Sequence, residues 1–255
     1  DTTDAFEVAG RGELQLGIVI ETMRREGYEL SVSRPRVVFR EENGQKMEPV
    51  EEVVVDVDDS YTGVVVEKMS MRKAEMTEMI PSGGGKTRLT FLAPSRGLIG
   101  YHSEFLTDTC GTGVMNRLFH GYVPYKGAIT GRRNGVLIST ESGKSVAYAL
   151  WNIQERGPLF IPAGLIIGAN AKPGDIEVNQ IKGKKLTNMR AAGKDEAVAL
   201  VPPVQMSLEA ALSYIDEDEL VEVTPKNIRL RKKILDSNER RKDEHRRENE
   251  AGIFK

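Results

Sequence analysis

The chain has 255 residues, 39% of them hydrophobic, with 36 basic and 38 acidic side chains and a net charge of −2. That length accommodates about two domains with packed cores, and the even charge balance excludes polyanion binding through the overall field, leaving only local patches to do it. No apolar run reaches membrane-spanning length, the lone Cys110 excludes an internal disulfide, and three histidines (His102, His120, His245) without C-x-x-C or H-E-x-x-H spacing argue against a metal site.

The first predicted element is a strand at Phe6–Ala9, ending in Gly10-Arg11-Gly12. A helix follows, because Leu16, Val19, Ile20 and Met23 recur at the i, i+3, i+4, i+7 spacing of one helical face while Glu21, Arg24 and Arg25 fall off it. Gly27 supplies its stop. Tyr28, Leu30 and Val32 alternate as a strand, and Val37 to Phe39 resume an extended stretch after Pro35. A strand and helix arriving directly after Asp1 read as the second half of a small α+β domain, residues 1–41, in a fragment of a longer protein with no secretory leader. Residues 41–48 are polar with an Asn43-Gly44 turn and are predicted as a linker.

Residues 48–126 carry a complete module. Val53, Val55 and Val57 alternate in a strand. A helix over Gly63–Lys73 points Val65 and Met69 inward. Strands at Glu75–Ile80 and Thr87–Leu92 flank the turn Pro81 to Gly85. A second helix near Gly97 places Leu98, Tyr101, His102 and Phe105 on one face, and a strand covers Val114–Phe119. The order β-α-β-β-α-β is that of ferredoxin-like domains, with two helices covering one face of a four-stranded sheet.

From about Gly127 short strands are predicted at Gly135–Ser139, Ser145–Trp151, Leu159–Ile161, Leu165–Ala169 and Ile176–Ile181, a barrel-like or sandwich-like series. Ala197–Met206 is extended. Ser207 caps a short helix whose buried stripe is Leu208, Ala211, Leu212 and Ile215. Glu219–Val223 and Asn227–Leu230 form one more strand pair, and beyond Asp236 the charged tail frays or forms a solvated helix. The fold class is therefore α+β: one partial and one complete ferredoxin-like module, then a mostly β C-terminal domain with a short helix, residues 127–255.

The enzyme motifs fail on inspection. Ser82-Gly83-Gly84-Gly85-Lys86-Thr87 ends like a phosphate-binding loop, but position 80, where a glycine is required, is Ile80, and a strand rather than a helix follows. Gly143-Lys144-Ser145 fails likewise. His102 and Cys110 are near in sequence, but Cys110 ends a helix rich in core-type residues and His102, on its apolar face, reads as a packed core residue, so they are not a nucleophile–base pair. Asp216-Glu217-Asp218-Glu219 reads as a solvated acidic turn in preference to an ion site.

The segment from Lys182 to Lys194 departs from this background. It holds Lys182, Lys184, Lys185, Arg190 and Lys194, no acidic residue and no aromatic one. A stretch that cannot bury itself yet concentrates positive charge is suited to meet phosphates. Secondary nucleic-acid candidates are Arg11 and Arg96, in two Arg-Gly strand-to-helix turns, and Arg229, Arg231, Lys232 and Lys233; exposed turn charges and a charge-protected strand edge are the competing readings.

Several long runs resemble known sequences. Gly10–Glu41 is similar to the third domain of elongation-factor-G-type translational GTPases, and Pro94–Leu118 to the second half of their fifth. GRRNGVLIS, WNIQERGPLF, GKKLTNMRAAGKDEA and DEDELVEVTPKNIRLRKK resemble the C-terminal domain of the BipA/TypA ribosome-binding GTPases. The resemblance implies a parent with a ribosome-stimulated GTPase domain that uses GTP and Mg, acting in stress adaptation and large-subunit assembly. It also implies ribosomal partners, rRNA and A-site tRNA, for the basic loop. This chain lacks the GTPase motifs and is expected to hydrolyse nothing, to hold no cofactor or metal, to avoid membranes, and to be a cytoplasmic monomer. The family carries an extra short stretch between Gly164 and Leu165. The alternative function is a small-molecule regulatory module built on ferredoxin-like domains.

Overall fold

The computed structural model describes residues 5–129, 131–132, 134–141, 143–160, 166–183 and 199–253. In chain order the elements begin with helix α1 (Glu13–Arg25) and strands β1 (Leu30–Ser33), β2 (Arg40–Glu42) and β3 (Gln45–Asp58). Helix α2 (Thr62–Met71), strands β4 (Glu75–Gly83) and β5 (Lys86–Pro94), helix α3 (Tyr101–Asp108) and strand β6 (Val114–Pro124) follow. The remainder comprises β7 (Val136–Ser139), α4 (Ala147–Gln154), β8 (Ile166–Ala169), β9 (Ile176–Val178), α5 (Leu208–Tyr214), β10 (Glu219–Val223), β11 (Ile228–Lys232) and α6 (Ser237–Ile253). Two compact units emerge, one of residues 1–16, 35–131 and 212–214, the other of residues 17–34, 132–211 and 215–255.

The first unit contains the β-α-β-β-α-β module. Its antiparallel sheet runs β4-β5-β3-β6, with β2 also paired to β3. Alternation sends Val53, Val55 and Val57 to one face, beside Phe91 and Leu89 of β5, where Val65 and Met69 of α2 and Leu98, Tyr101 and Phe105 cover them. Each such buried aliphatic or aromatic side chain contributes about 1.5–3 kcal/mol. His102, expected on that inner face, is exposed. The covered stripe of this two-turn helix is only as wide as Tyr101 and Phe105, four residues apart, and His102 lies a further 100° around. The turn Gly83 to Gly85 has positive φ throughout and closes the β4–β5 hairpin, as the glycine run requires.

Two predicted elements change. Residues 41–48 are not a linker: Asn43 and Gly44, with φ of 52° and 75°, turn β2 back into β3, which starts as early as Gln45. Both central residues at positive φ is the signature of a two-residue hairpin turn, a signal present in the sequence but read without its flanking strands. Phe6–Ala9 forms no strand; Phe6 is 86% exposed and finds no ladder partner among the described residues.

In the second unit one mixed sheet runs β1-β10-β11-β8-β7-β9, with β7 and β9 parallel and the other pairs antiparallel. It is an open sheet among the described residues rather than the expected barrel or sandwich. Ser145–Trp151, predicted as a strand, contributes instead to α4: Ala149 and Ile153, four apart, face the core formed with Leu137, Leu159, Ile167 and Val178. The run supports either period, and packing selects 3.6. Leu159 makes a single bridge to Gly168; Gly164 and Leu165 lie outside the described residues. Gly27, at φ 97°, ends α1, with its N–H donating to Arg24 and that of Tyr28 to Met23. Ser207 caps α5 by accepting from the Ala210 N–H at 3.2 Å, and Leu208, Ala211, Leu212 and Ile215 are buried as expected. Asp236 caps α6 in the same way, through the amides of Asn238 and Glu239. Among the described residues no helix is long and apolar enough to cross a membrane, and no three His, Cys, Asp or Glu side chains gather as a metal site.

Candidate nucleic-acid interface

Of the five cations expected to face phosphates, Lys182 is described and exposed; Lys184, Lys185, Arg190 and Lys194 lie outside the described residues. The two stems that lead to and from the segment are described, and both are fixed in the second unit. On the outgoing side β9 pairs in parallel with β7. The ladder is prolonged by Thr140 donating to the Val178 carbonyl and Val146 to the Gln180 carbonyl, each at 3.0 Å. Asn179 then accepts from the Ile181 N–H at 3.0 Å, a local turn just before Lys182. On the returning side the Gln154 amide of α4 grips the backbone twice, donating to the Ala199 carbonyl at 3.2 Å and accepting from the Val201 N–H at 3.0 Å. Val204 donates to the Leu159 carbonyl at 2.8 Å. Lys144, which the failed phosphate-loop pattern had set aside, is exposed on the connection from β7 to α4, whose Val146 donates to the Gln180 carbonyl. It adds a cation to the outgoing stem that sequence spacing alone did not assign.

The secondary candidates divide. Arg11 is exposed, with its backbone N–H donating to Gln15. Arg96 is turned inward: its guanidinium meets the fully buried Glu48, donates to the Gly127 carbonyl, and lies 4.6 Å from the Tyr125 ring centre. Arg231 pairs with Glu222 at 2.7 Å. Arg229 is half-buried, and Lys233 is exposed with its ammonium on the Glu217 carbonyl.

Lys232 cannot meet RNA, since it is only 3% exposed. Its ammonium lies 2.6 Å from Asp175, 2.8 Å from Asp218 and 2.9 Å from Glu219. Glu219, itself fully buried, accepts both arms of Arg132 at 2.8 and 3.0 Å. Burial opposes both charges. The Arg132 hydrogen bonds and the Lys232 field nevertheless hold the Glu219 carboxyl below its ordinary range, and the surrounding carboxylates lift the Lys232 ammonium above its own. The acidic run predicted as a solvated turn thus divides: Asp218 and Glu219 belong to this ion network, Asp216 pairs with Arg34 at 3.0 Å, and Glu217 is exposed. Lys232 comes from β11, which lies inside the sheet between β10 and β8 and not at an edge.

A cation–aromatic cluster in the first unit was not legible beforehand. On β3, Met47, Pro49 and Glu51 alternate onto one face, and their cross-strand partners Arg40, Tyr122 and Phe119 line it in a row. The Arg40 guanidinium stands 4.1 Å from the Tyr122 ring centre, and Tyr122 meets Phe119 edge-on at 5.8 Å. Lys46 lies near the Phe39 and Tyr125 rings, at 4.0 and 4.7 Å. The signal in the sequence is a set of aromatics spread over two distant segments, Phe39 and Phe119 to Tyr125, which only the β2–β3–β6 pairing assembles.

Comparison with known proteins matches the second and first units in turn. Residues 134–237 match the TypA/BipA C-terminal domain, and residues 45–133 match the elongation factor G C-terminus. The protein of Haemophilus influenzae called large ribosomal subunit assembly factor BipA is 52% identical over 246 residues, 94% of this chain and 40% of that protein. Proteins of the same name from Salmonella typhimurium and Bacillus subtilis are 52% and 50% identical, over 95% and 94% of the chain. The chain therefore spans about 40% of the length of the curated relatives it matches.

Proposed function

The chain belongs to the TypA/BipA family, and from that premise we propose that it is the ribosome-contacting portion of a ribosome-associated GTPase. The relatives are large ribosomal subunit assembly factors by name. In this reading the partner is the ribosome, the contacts are rRNA and the acceptor end of A-site tRNA, and the whole protein works as a cytoplasmic monomer in subunit assembly and stress adaptation. GTP and Mg belong to the part of the whole protein outside the matched length. The expected division into residues 1–41, 48–126 and 127–255 belongs to the same proposal, with the β1–β10 ladder tying the end of the first segment to the third.

The observation that carries the reading is five cations without one carboxylate between Lys182 and Lys194, set between two stems, one hydrogen-bonded along β9 and the other to Gln154 of α4 and to Leu159. A fixed base reduces the ordering cost of presenting those charges to a folded polyanion. If all five neutralise phosphates of irregular RNA, log K falls against log salt with a slope of about −3.5, so a fourfold rise in salt weakens the contact roughly a hundredfold. Replacing Lys184, Lys185 and Arg190 by alanine is expected to weaken cosedimentation with ribosomes and to flatten the slope to about −1.4 without altering folding. Unchanged cosedimentation across a salt series would count against this role.

A further inference from the structure

We infer that the face of the β2–β3–β6 ribbon carrying Arg40, Tyr122 and Phe119 is a second RNA contact, one that binds unpaired nucleotides by stacking. It rests on the ribosome-contacting reading but on none of the residues of the basic loop. Phe119 is 59% exposed although it is paired in the β3–β6 ladder opposite Glu51. A large ring held out of the core by a rigid strand is a preorganised platform, because no side-chain packing must be undone to use it. The register shift between Val50 and Glu51, at the level of His120, brings Phe119 and Tyr122 to the same side despite their odd separation.

The chemistry of the row selects the partner. Tyr122 is flanked by the Arg40 guanidinium on one side and by the Phe119 ring on the other. Arg40 has no carboxylate partner among the described residues, whereas its neighbour Arg117 is already held by both oxygens of Glu51. The Arg40 guanidinium and the exposed Phe119 ring offer a phosphate contact and a base contact two side-chain repeats apart, about 13 Å along the strand, with Tyr122 between them. Duplex RNA keeps its bases stacked internally and does not offer them to a ring; unpaired RNA does. The rest of the surface limits the site: Glu41 and Glu42 beside the hairpin tip repel phosphate. The sheet face opposite the helices carries Glu52, Asp56, Glu75 and Glu78, so the broad sheet surface is not the platform.

The test is fluorescence anisotropy of the 255-residue chain with a labelled unpaired 12-nucleotide RNA and with a hairpin duplex of the same composition. Variants Phe119→Ala, Phe119→Tyr and Arg40→Met are compared with the Lys184, Lys185, Arg190 alanine triple. Phe119→Ala is expected to weaken the unpaired probe about tenfold with an unchanged melting temperature, Phe119→Tyr to retain binding, and Arg40→Met to weaken it and lower the salt slope by about 0.7. In the triple variant the loss caused by Phe119→Ala is expected to persist. The inference is overturned if Phe119→Ala binds the unpaired probe as the parent chain does, if the duplex binds equally well, or if the substitution abolishes only self-association. Should the triple variant alone lose ribosome binding, the loop reading stands without this second contact; should neither change, both fall.

Discussion

The ferredoxin-like module closes over aliphatic and aromatic side chains alone where β3, β5, α2 and α3 meet, whereas the sheet of the second unit adds to its apolar core an interior ion network of Lys232, Glu219, Arg132, Asp175 and Asp218. An apolar core tolerates any partner of suitable size and is indifferent to pH. An interior network is satisfied in one arrangement only, so it fixes register but makes stability conditional on every member. In the second unit the network joins β10 and β11 to the turn at Asp175 ahead of β9, the strand from which the basic segment departs. The first unit also buries an ion pair, Arg96 with Glu48, but away from its β3–β5–α2–α3 core, whereas the network of the second unit lies beside the strand that leads to the loop.

The largest effect expected from this contrast is that of Lys232→Met. It preserves much of the side-chain volume and removes the charge, leaving Glu219 with Arg132 alone and taking from Asp175 and Asp218 the ammonium they share. Breaking a buried ion network from one side costs about 3–5 kcal/mol. The only tryptophan, Trp151, lies in the second unit and reports its urea transition by fluorescence. A shift of less than about 1 kcal/mol would erase the distinction between the two units.

The second expectation sharpens the same contrast through pH. The Glu219 pKa is lower folded than unfolded, because Arg132 and Lys232 outweigh burial. Its stabilising contribution is therefore present above the ordinary carboxylate value of 4.5 and is lost as pH falls through the depressed folded value. Glu219→Gln should thus be clearly less stable than the parent chain at pH 7, with the gap narrowing as pH falls from the ordinary carboxylate value through the depressed folded one. A gap that stays constant across this range would assign the loss to packing rather than to charge.

This division also explains what could be read in advance. Alternating valines at 53, 55 and 57, the glycine turn at 83–85 and the Ser207 cap are local signals whose physical causes lie within a few residues, and they located the module and α5 correctly. The network joins residues 132, 175, 218, 219 and 232, and no local period distinguishes a buried lysine from a solvated one. Lys232 thus read as a phosphate contact, and Glu219 as part of an exposed turn. Arg96 was misread for the same reason, since its partner Glu48 is 48 positions away and looked like part of a linker. The charge density at Lys182–Lys194 is compositional and so is visible at once, while the anchoring of its returning stem by Gln154 is not, because a single side-chain amide bridging one backbone carbonyl and one backbone N–H leaves no pattern in sequence.

The smallest expected effect tests the other side of the comparison, the claim that the cluster where β3, β5, α2 and α3 meet is purely apolar in its energetics. Tyr101 is fully buried between Phe105, 6.1 Å away, and the Arg72 guanidinium, 4.8 Å from its ring, yet its hydroxyl has no hydrogen-bond partner among the described residues. Burial pushes its pKa well upward, so the hydroxyl stays neutral and remains a desolvated polar group at any physiological pH. Tyr101→Phe keeps the ring and its attraction for Arg72 while removing that group. The substitution is expected to leave the module as stable or to stabilise it by up to about 1 kcal/mol, measured by hydrogen exchange at the Val53 and Val55 amides. A loss of more than about 1 kcal/mol would mean that the hydroxyl is bonded through water; this core too would then depend on a specific polar contact, and the two units would differ in degree and not in kind.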